Sequence, residues 1–334
     1  MTQSEAKKLI KAAFAPFIGQ AAAKAKIEQK ILAALANGGW MSPLLIVAPA
    51  GLGKSALFEI IIGLVRAILG RRFVEFERGE ECGSRTAFAD VYINHVHDKP
   101  VAMKIDEFHE AKPAIRSMIR SLVQPRADRS STTIRAYGDN EITYDPFKNW
   151  FLLATNEVDK LDAPFLSRMD RIDLELYSAE ELETMLQRNL QGADIKFNDN
   201  TLRDIADANR GTGRDIVKWG DAIRNHCAVT GKNSLNKADV AAILKTQQTY
   251  PLGVTPNELR TLLVLEEKGP QQLKQLAAAN LVQVKEQNAN ELYLLQKGLI
   301  VTHPLRSLTQ QGIAYLAELR KGKFIAPSSK PKSK

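Results

Sequence analysis

The composition of this 334-residue chain is that of a globular protein, with 44% hydrophobic and 25% charged residues. Its apolar runs are too short to span a membrane and its first residues lack a signal-peptide core, which argues against membrane insertion and secretion. The two cysteines, Cys82 and Cys227, lie far apart in the sequence and predict free thiols in a reducing cytoplasm. The length predicts two or three domains, and the net charge of +8 is compatible with a nucleic-acid partner.

The first predicted elements are two helices. Lys8 to Ala15 has the pattern of a short amphipathic helix, and Ala21 to Ala36 carries its larger apolar residues on one stripe. The second helix is predicted to end at Asn37-Gly38-Gly39, which is a helix stop signal. The segment F-I-G-Q between the helices, which contains Phe17 and Ile18, is a turn.

A strand, a glycine-containing turn and a helix follow. The apolar strand covers Leu44 to Val47, and Gly53-Lys54-Ser55 opens an apolar helix that reaches about Leu69. The turn departs from the phosphate-binding pattern G-x-x-x-x-G-K-[ST] at the first glycine, which is Ala48 here. An ordinary glycine-rich loop is the alternative interpretation.

This turn has the chemistry of a P-loop that binds ATP. Gly51 and Gly53 allow the backbone to curl so that its N–H groups point at the phosphates. Lys54 would reach the β- and γ-phosphates, and the Ser55 hydroxyl would bind Mg²⁺. The predicted ATP-binding residues of this segment are Pro49, Ala50, Gly51, Leu52, Gly53, Lys54, Ser55 and Ala56.

An acidic pair follows a later strand. Arg72 to Glu77 alternates as a strand does, and Val101 to Ala111 begins with an apolar strand that ends in Asp106-Glu107. Both carboxylates would therefore emerge at the carboxyl end of a parallel strand, where such sheets hold ligands. Asp106 would hold Mg²⁺, and Glu107 would take the proton from the attacking water. Together with the P-loop, this pair predicts an ATPase.

Less specific features surround that strand. A short helix is expected near Phe88 to His95. The segment Asn94 to Asp98 contains two histidines, but no third ligand is nearby, so a surface turn is favoured over a metal site. We expect the Lys104 side chain to extend outward from the sheet and His109 to be structural.

A hairpin and another buried strand are predicted in the middle of the chain. After a helix over Ala114 to Val123, the β-formers Thr132 to Tyr137 and Glu141 to Tyr144 flank the turn Gly138-Asp139-Asn140. The next strand covers Asn149 to Glu157 and ends in a Thr-Asn pair.

From Tyr177 onward the pattern is helical, beginning with a capping box of Ser178 and Glu181. Helices are predicted over Ala179 to Leu190, Thr201 to Ala208, Asp215 to Cys227, Lys237 to Lys245, Thr255 to Glu266, Gln271 to Ala278 and Lys285 to Gln296. A short β-wing within Gly298 to Thr309 and a helix over Gln310 to Arg320 follow. Three helices and a wing are typical of a winged helix, which contacts DNA or, alternatively, a protein.

These motifs, in this order over about Phe14 to Leu319, resemble those of AAA+ ATPases and, within them, the RuvB Holliday junction branch-migration motors. F-I-G-Q resembles their adenine-side motif, which implies that Phe17 and Ile18 bind the nucleotide. The strand that ends at Asn156 resembles the sensor-1 strand, which implies that Asn156 orients the attacking water. G-T-G-R resembles the sensor-2 motif G-T-P-R, which implies that Arg214 reaches the γ-phosphate.

The segment A-P-F-L-S-R-M-D-R resembles an arginine-finger segment. The resemblance implies that Arg168, with Arg171 as second choice, acts in trans on the γ-phosphate of the neighbouring subunit in a ring. The alternative is an arginine that pairs with Asp170 or Asp173.

The resemblance also implies partners. The hairpin within 130–145 stands where RuvB contacts RuvA, so it implies a RuvA-like partner; its more polar sequence leaves DNA or a different protein open. The last domain resembles the RuvB winged helix, which implies phosphate contacts without base specificity from Lys297, His303 and Arg306, with Lys321 as a further candidate.

We therefore expect an α/β protein: an AAA+ P-loop NTPase core with a parallel sheet (1–176), an all-α lid (177–250), a C-terminal winged helix (251–322) and a disordered basic tail (323–334). The expected function is that of a Mg²⁺- and ATP-dependent DNA translocase, a ring of six subunits that drives Holliday junction branch migration in recombination and repair. The alternatives are a clamp-loader, helicase-loader or replication-initiator type of ATP switch, and a DNA-binding ring with a decayed ATPase, for which Ala48 is the hint.

Overall fold

The computed structural model describes residues 1–39, 41–96, 99–123, 132–137, 140–144, 150–322 and 324–325, and of 132–137, 140–144 and 199 the backbone alone. These residues divide into two compact units. The first contains Met1–Tyr177 together with Thr212–Arg214, and the second contains Ser178–Gly211 and the chain from Asp215 onward. Among the described helices, none combines the length and apolarity that crossing a membrane requires.

The first unit opens with two helices, α1 (Gln3–Phe14) and α2 (Ala21–Ala36). Helix α1 begins five residues before the predicted start. The reason is a capping box, in which Thr2 Oγ1 accepts the Glu5 N–H and the Glu5 carboxylate accepts the Thr2 N–H. Helix α2 has the predicted bounds.

A parallel five-stranded sheet forms the centre of the first unit. Its strands are β1 (Leu44–Val47), β2 (Arg72–Phe76), β3 (Val101–Ile105), β6 (Trp150–Thr155) and β7 (Asp170–Asp173). Their order across the sheet is β2-β3-β6-β1-β7, so β1, β6 and β3 are neighbours. The carboxyl ends of these three strands therefore lie side by side, which is what brings the P-loop, the acidic pair and the Thr-Asn pair to one edge.

Helices and a separate hairpin complete this unit. The helices are α3 (Lys54–Leu69), α4 (Arg85–Val91), α5 (Pro113–Leu122) and α6 (Ala163–Leu166). The helix expected near Phe88 to His95 begins earlier and continues as a π turn over Tyr92–Val96. The predicted hairpin is present as β4 (Thr132–Tyr137) and β5 (Asn140–Tyr144); its residues Gly138 and Asp139 lie outside the described residues.

The expectation that Lys104 extends outward from the sheet was wrong. Its side chain is buried, with Nζ 2.6 Å from Glu77 Oε1 and 3.7 Å from Glu75 Oε2. Glu75 is the register partner of Lys104 on β2. The neighbouring strand thus supplies the carboxylates that a buried ammonium requires.

The second unit is helical except for one short hairpin among its described residues. Its elements are α7 (Ala179–Asn189), α8 (Asp199–Ala208), α9 (Gly213–Thr230), α10 (Lys237–Thr246), α11 (Pro256–Lys268), α12 (Leu273–Asn280), α13 (Val284–Gln296), β8 (Ile300–Val301), β9 (Ser307–Leu308) and α14 (Gln310–Lys321). The order of three helices, a hairpin and a helix from α11 onward is the predicted one. The division into a lid and a winged helix at residue 250 stays a prediction, and residues 326–334 of the tail lie outside the described residues.

Candidate active site

The turn between β1 and α3 has the backbone that a P-loop requires. Gly51 and Gly53 both have φ of +87°, a conformation that glycine adopts without steric cost. Ala48 does not take a positive φ, and its N–H donates to the Thr155 carbonyl at 3.1 Å. The glycine of the family pattern is therefore not needed at position 48, and this departure leaves the turn intact.

Side chains pack closely against this turn. A Cβ at Gly53 would lie 3.1 Å from the Phe17 ring and 3.1 Å from the Tyr177 hydroxyl oxygen. The Tyr177 hydroxyl donates to the Leu52 carbonyl at 3.0 Å. The structure thus places Phe17, predicted on the adenine side, against the loop, followed in the chain by the half-buried Ile18. Tyr177 is a residue that the sequence analysis missed, because no motif marks it.

Lys54 and the acidic pair meet at the edge of the sheet. Lys54 is buried, and its Nζ lies 3.0 Å from Glu107 Oε1. Asp106 is also buried, and its Oδ1 accepts the Glu107 N–H at 2.8 Å. Burial raises the pKa of the Asp106 carboxyl above its ordinary value, and this hydrogen bond and the Lys54 ammonium offset that effect only in part. An ammonium and two carboxylates that converge in this way can serve phosphate binding and proton abstraction.

Strand β6 contributes the next residues at this edge. Thr155 is buried, and Asn156 follows it with an exposed side chain beside the carboxyl end of β3. The Thr155 Oγ1 lies 3.1 Å from His109 Nδ1, and His109 Nε2 lies 3.1 Å from Glu157 Oε1. His109 is expected from the sequence to be structural, and no motif assigns a role to Glu157 or to the Thr155 side chain. The one sequence signal for this group is the position of His109, two residues after Glu107.

The predicted sensor residue Arg214 reaches the P-loop through its backbone. The N–H groups of Gly213 and Arg214 both point at the Gly51 carbonyl, at 2.8 Å and 3.3 Å. A Cβ on Gly51 would lie 3.2 Å from the Arg214 Cβ, while the Arg214 side chain as a whole is exposed. The sequence-predicted residues Gly51, Lys54, Glu107 and Arg214 are thus gathered in the first unit.

Arg168 and Arg171 differ in their partners. Arg171 Nη2 lies 2.6 Å from Asp173 Oδ1, which is the ion pair considered as an alternative to a finger. Arg168 donates instead to the Pro164 carbonyl of α6, and no ion pair joins it to a described carboxylate. Asp162 caps α6 by accepting the Phe165 N–H at 2.9 Å.

The predicted DNA-binding residues lie in the second unit. Lys297 Nζ lies 5.5 Å from the centre of the Tyr293 ring, and His303 is exposed. Arg306 Nε donates to Glu291 Oε2 at 3.1 Å, and Glu291 is buried. Arg306 therefore has a structural partner, and phosphate contacts by these three residues stay a prediction.

The described histidines, cysteines and carboxylates are not arranged as a metal site. His95 is exposed, whereas His97 and Asp98 of the predicted surface turn lie outside the described residues. Within the described part of the chain, three or more His, Cys, Asp or Glu side chains nowhere form a group suited to a metal ion. Cys82 and Cys227 are free and buried.

Known proteins resemble the chain over most of its length. Residues 44–178 match the family described as "ATPase family associated with various cellular activities (AAA)". The "Holliday junction branch migration complex subunit RuvB" of Koribacter versatilis is 27% identical over 302 residues, covering 86% of this chain and 79% of that protein. The RuvB subunit of Granulibacter bethesdensis is 27% identical over 310 residues, covering 90% and 84%.

The solved structure of the Thermotoga maritima RuvB Holliday junction branch migration motor has the same fold. It matches with a TM-score of 0.65 at 23% identity, over 93% of this chain and 97% of that one. Residues 44–178 therefore form an ATPase domain of the AAA family, and the chain resembles RuvB proteins along most of its sequence and fold.

Proposed function

We propose that this chain is the ATP-hydrolysing subunit of a ring of six copies that moves branched DNA, and that it drives Holliday junction branch migration. The observation that carries the proposal is the 3.0 Å contact of the P-loop Lys54 with Glu107, beside the buried Asp106. The relatives named as branch migration subunits support the choice of DNA as the material moved.

The proposed nucleotide is ATP with Mg²⁺. Ser55, an exposed residue in the first turn of α3, offers a hydroxyl, and Asp106 offers a carboxylate. Both are oxygen donors of the kind that Mg²⁺ prefers. Bound Mg²⁺ supplies neutralisation of phosphate charge. Lys54 binds the β- and γ-phosphates, Arg214 contacts the γ-phosphate, Asn156 orients the water and Glu107 accepts its proton.

The proposed ring makes hydrolysis depend on the neighbouring copy. Arg168 is the finger we favour, because Arg171 is already paired with Asp173. Removing a finger of this type lowers turnover by ~10³- to 10⁵-fold. We therefore expect Arg168→Ala to hydrolyse ATP far more slowly than Arg171→Ala, and mixing Arg168→Ala with Lys54→Ala subunits to restore part of the turnover.

The proposed contacts to DNA are electrostatic. Lys297, His303 and Arg306 would meet phosphates, so binding should weaken steeply with salt and show little sequence preference. The 130–145 hairpin is the proposed contact for a RuvA-like partner. The proposed compartment is the cytoplasm, which the two free thiols support.

The nucleotide assignment is tested by turnover. Lys54→Ala should abolish hydrolysis, and Glu107→Gln should lower it by ~10²- to 10⁴-fold while ATP binding and ring assembly persist, because a general base contributes about that much. Glu110→Gln is the matched control, since Glu110 lies in the same turn but pairs with Arg78 at 2.7 Å. Normal hydrolysis by Lys54→Ala or Glu107→Gln contradicts the assignment.

The DNA assignment is tested on a synthetic four-way junction with ATP, with and without an added RuvA-type protein. We expect ATP-dependent conversion of the junction into two duplexes. Junction binding with slow turnover and no strand movement would instead indicate an ATP switch of the clamp-loader or initiator kind. Sequence-specific binding to linear duplex would point the same way.

A further inference from the structure

His109 lies among three oxygen atoms at the edge of the sheet. Its side chain is 6% exposed. Nδ1 is 3.1 Å from Thr155 Oγ1 and 3.5 Å from Glu107 Oε2, and Nε2 is 3.1 Å from Glu157 Oε1. The imidazole thus stands between the predicted general base and a second carboxylate.

The partners of the ring determine where a neutral imidazole carries its proton. The Glu157 carboxylate can only accept, and its Lys160 ion pair at 2.8 Å keeps it charged, so for the neutral ring we assign the proton to Nε2. Thr155 Oγ1 already accepts the Glu157 N–H at 3.0 Å, so its hydroxyl proton is available to Nδ1. Nδ1 therefore acts as an acceptor on the side that faces Glu107.

Glu107 is held on one side only. Lys54 Nζ contacts Oε1 at 3.0 Å, whereas Oε2 is buried and has no hydrogen-bond partner among the described residues. In the assigned neutral tautomer, Nδ1 faces this oxygen at 3.5 Å as an acceptor and donates no hydrogen bond to it. Glu107 also has a φ of +41°, an unusual value for a residue with a side chain, so its backbone is set by the surrounding structure.

The Lys54 ammonium has three N–H donors, and phosphates would compete with the Glu107 carboxylate for them. Phosphate binding would therefore weaken the contact with Glu107, whose carboxylate then needs another element to fix its direction. We propose that His109 is the positioning residue for Glu107: held by Glu157 and Thr155, it presents an acceptor nitrogen that turns the carboxylate away from itself and toward the attacking water. This inference rests on the proposed function, in which Glu107 is the general base.

Two substitutions, each of which replaces one ring nitrogen of His109 by an amide, can distinguish this positioning role from a purely structural role. His109→Asn would place a side-chain amide near the position of Nδ1, and His109→Gln would place one near the position of Nε2. If the Nδ1 side positions Glu107, His109→Asn retains more turnover than His109→Gln. If His109 merely holds Glu157, His109→Gln retains more than His109→Asn, and the proposal is overturned.

The size of the effect follows from the geometry. A general base displaced by ~1 Å can lose about 10²-fold in rate. We therefore expect His109→Ala to lower kcat by ~10- to 100-fold, with the affinity for a fluorescent ATP analogue within about twofold of the parent. His226→Ala is the matched control, because His226 Nε2 also lies 3.1 Å from a carboxylate, Asp239, but in the second unit. Its turnover should equal that of the parent.

The Glu107→Gln background tells whether His109 acts through Glu107. There, His109→Ala should cause no further loss of the residual single-turnover rate. A full additional loss, or unchanged kcat for His109→Ala alone, overturns the inference while leaving the proposed function in place. Normal hydrolysis by Glu107→Gln itself would instead overturn the proposed function. If His109→Ala does not fold, the His109→Asn and His109→Gln variants decide.

Discussion

The ion pair of Arg306 and Glu291 should stabilise the second unit, and the burial of Glu291 sets how much free energy is lost when Arg306 is removed. Glu291 is 2% exposed, and its carboxylate accepts from Arg306 Nε at 3.1 Å and from Gln287 Nε2 at 3.2 Å. Arg306→Ala would leave a buried carboxylate without its cation. Removal of one partner from a buried pair costs about 3–5 kcal/mol, and because Gln287 still donates, we expect about 3 kcal/mol.

A second arginine of the same unit serves as the control. Arg320 binds Glu266 through two hydrogen bonds, and Arg320 and Arg306 are 20% and 21% exposed. The carboxylates differ, since Glu266 is 26% exposed and Glu291 is 2% exposed. Water can reach Glu266 when Arg320 is removed, so Arg320→Ala should cost about 1 kcal/mol or less.

Native-state hydrogen exchange on peptides from α13 measures the local stability around Glu291 in each variant. A local measurement is needed because a chain with more than one unit need not unfold in a single step. A loss of about 3 kcal/mol raises exchange through local opening by about 10²-fold. The double variant Arg306→Ala with Glu291→Gln should recover most of the protection, because the neutral amide needs no cation. Equal effects of Arg306→Ala and Arg320→Ala, or no recovery in the double variant, would refute the reasoning. The same result affects how DNA binding is interpreted. A loss of DNA affinity in Arg306→Ala could come from local destabilisation of the second unit as well as from a missing phosphate contact.

Three further predictions concern single sites. Gly53→Ala should abolish ATP binding, because its methyl group would crowd the Phe17 ring and the Tyr177 hydroxyl at 3.1 Å; Gly70→Ala, with a similar positive φ and open space around it, should lose about 1–2 kcal/mol of stability and keep binding ATP. Asp162→Ala should lower turnover with little change in ATP affinity, because it removes the cap of α6, worth about 0.5–2 kcal/mol, next to Arg168. The pKa of Asp239 is lowered from 3.8 to about 2, chiefly by its hydrogen bond with Lys232 and further by those with Asn236 and His226. Its contribution to stability is therefore present above about pH 4 and lost as the pH falls toward 2, so acid titration of Asp239→Asn should lack this part of the stability loss.

The local chemistry of the ATP site could be predicted from the sequence. A P-loop is a continuous segment of the chain. Its glycines act through the local backbone conformation, and its lysine and hydroxyl act through their own charge and polarity. The same holds for the strand that ends in Asp106-Glu107 and for the capping box at Ser178. Periodicity also placed most helices within a few residues of their observed ends, and the missed start of α1 was a capping box at Thr2.

Only the tertiary structure determines which polar side chains from distant segments of the chain come into contact. Lys104 contacts Glu75 of β2 and Glu77 just after that strand, and the Tyr177 hydroxyl donates to the Leu52 carbonyl, 125 residues away in the sequence. The role of His109 likewise depends on Thr155 and Glu157, which follow the neighbouring strand β6. Apolar periodicity determines which face of an element is buried, because burial depends on hydrophobicity that every residue carries locally. The partner of a buried polar group depends instead on the order of the strands in the sheet. Here β6 lies between β3 and β1, and no single segment of the sequence determines that order.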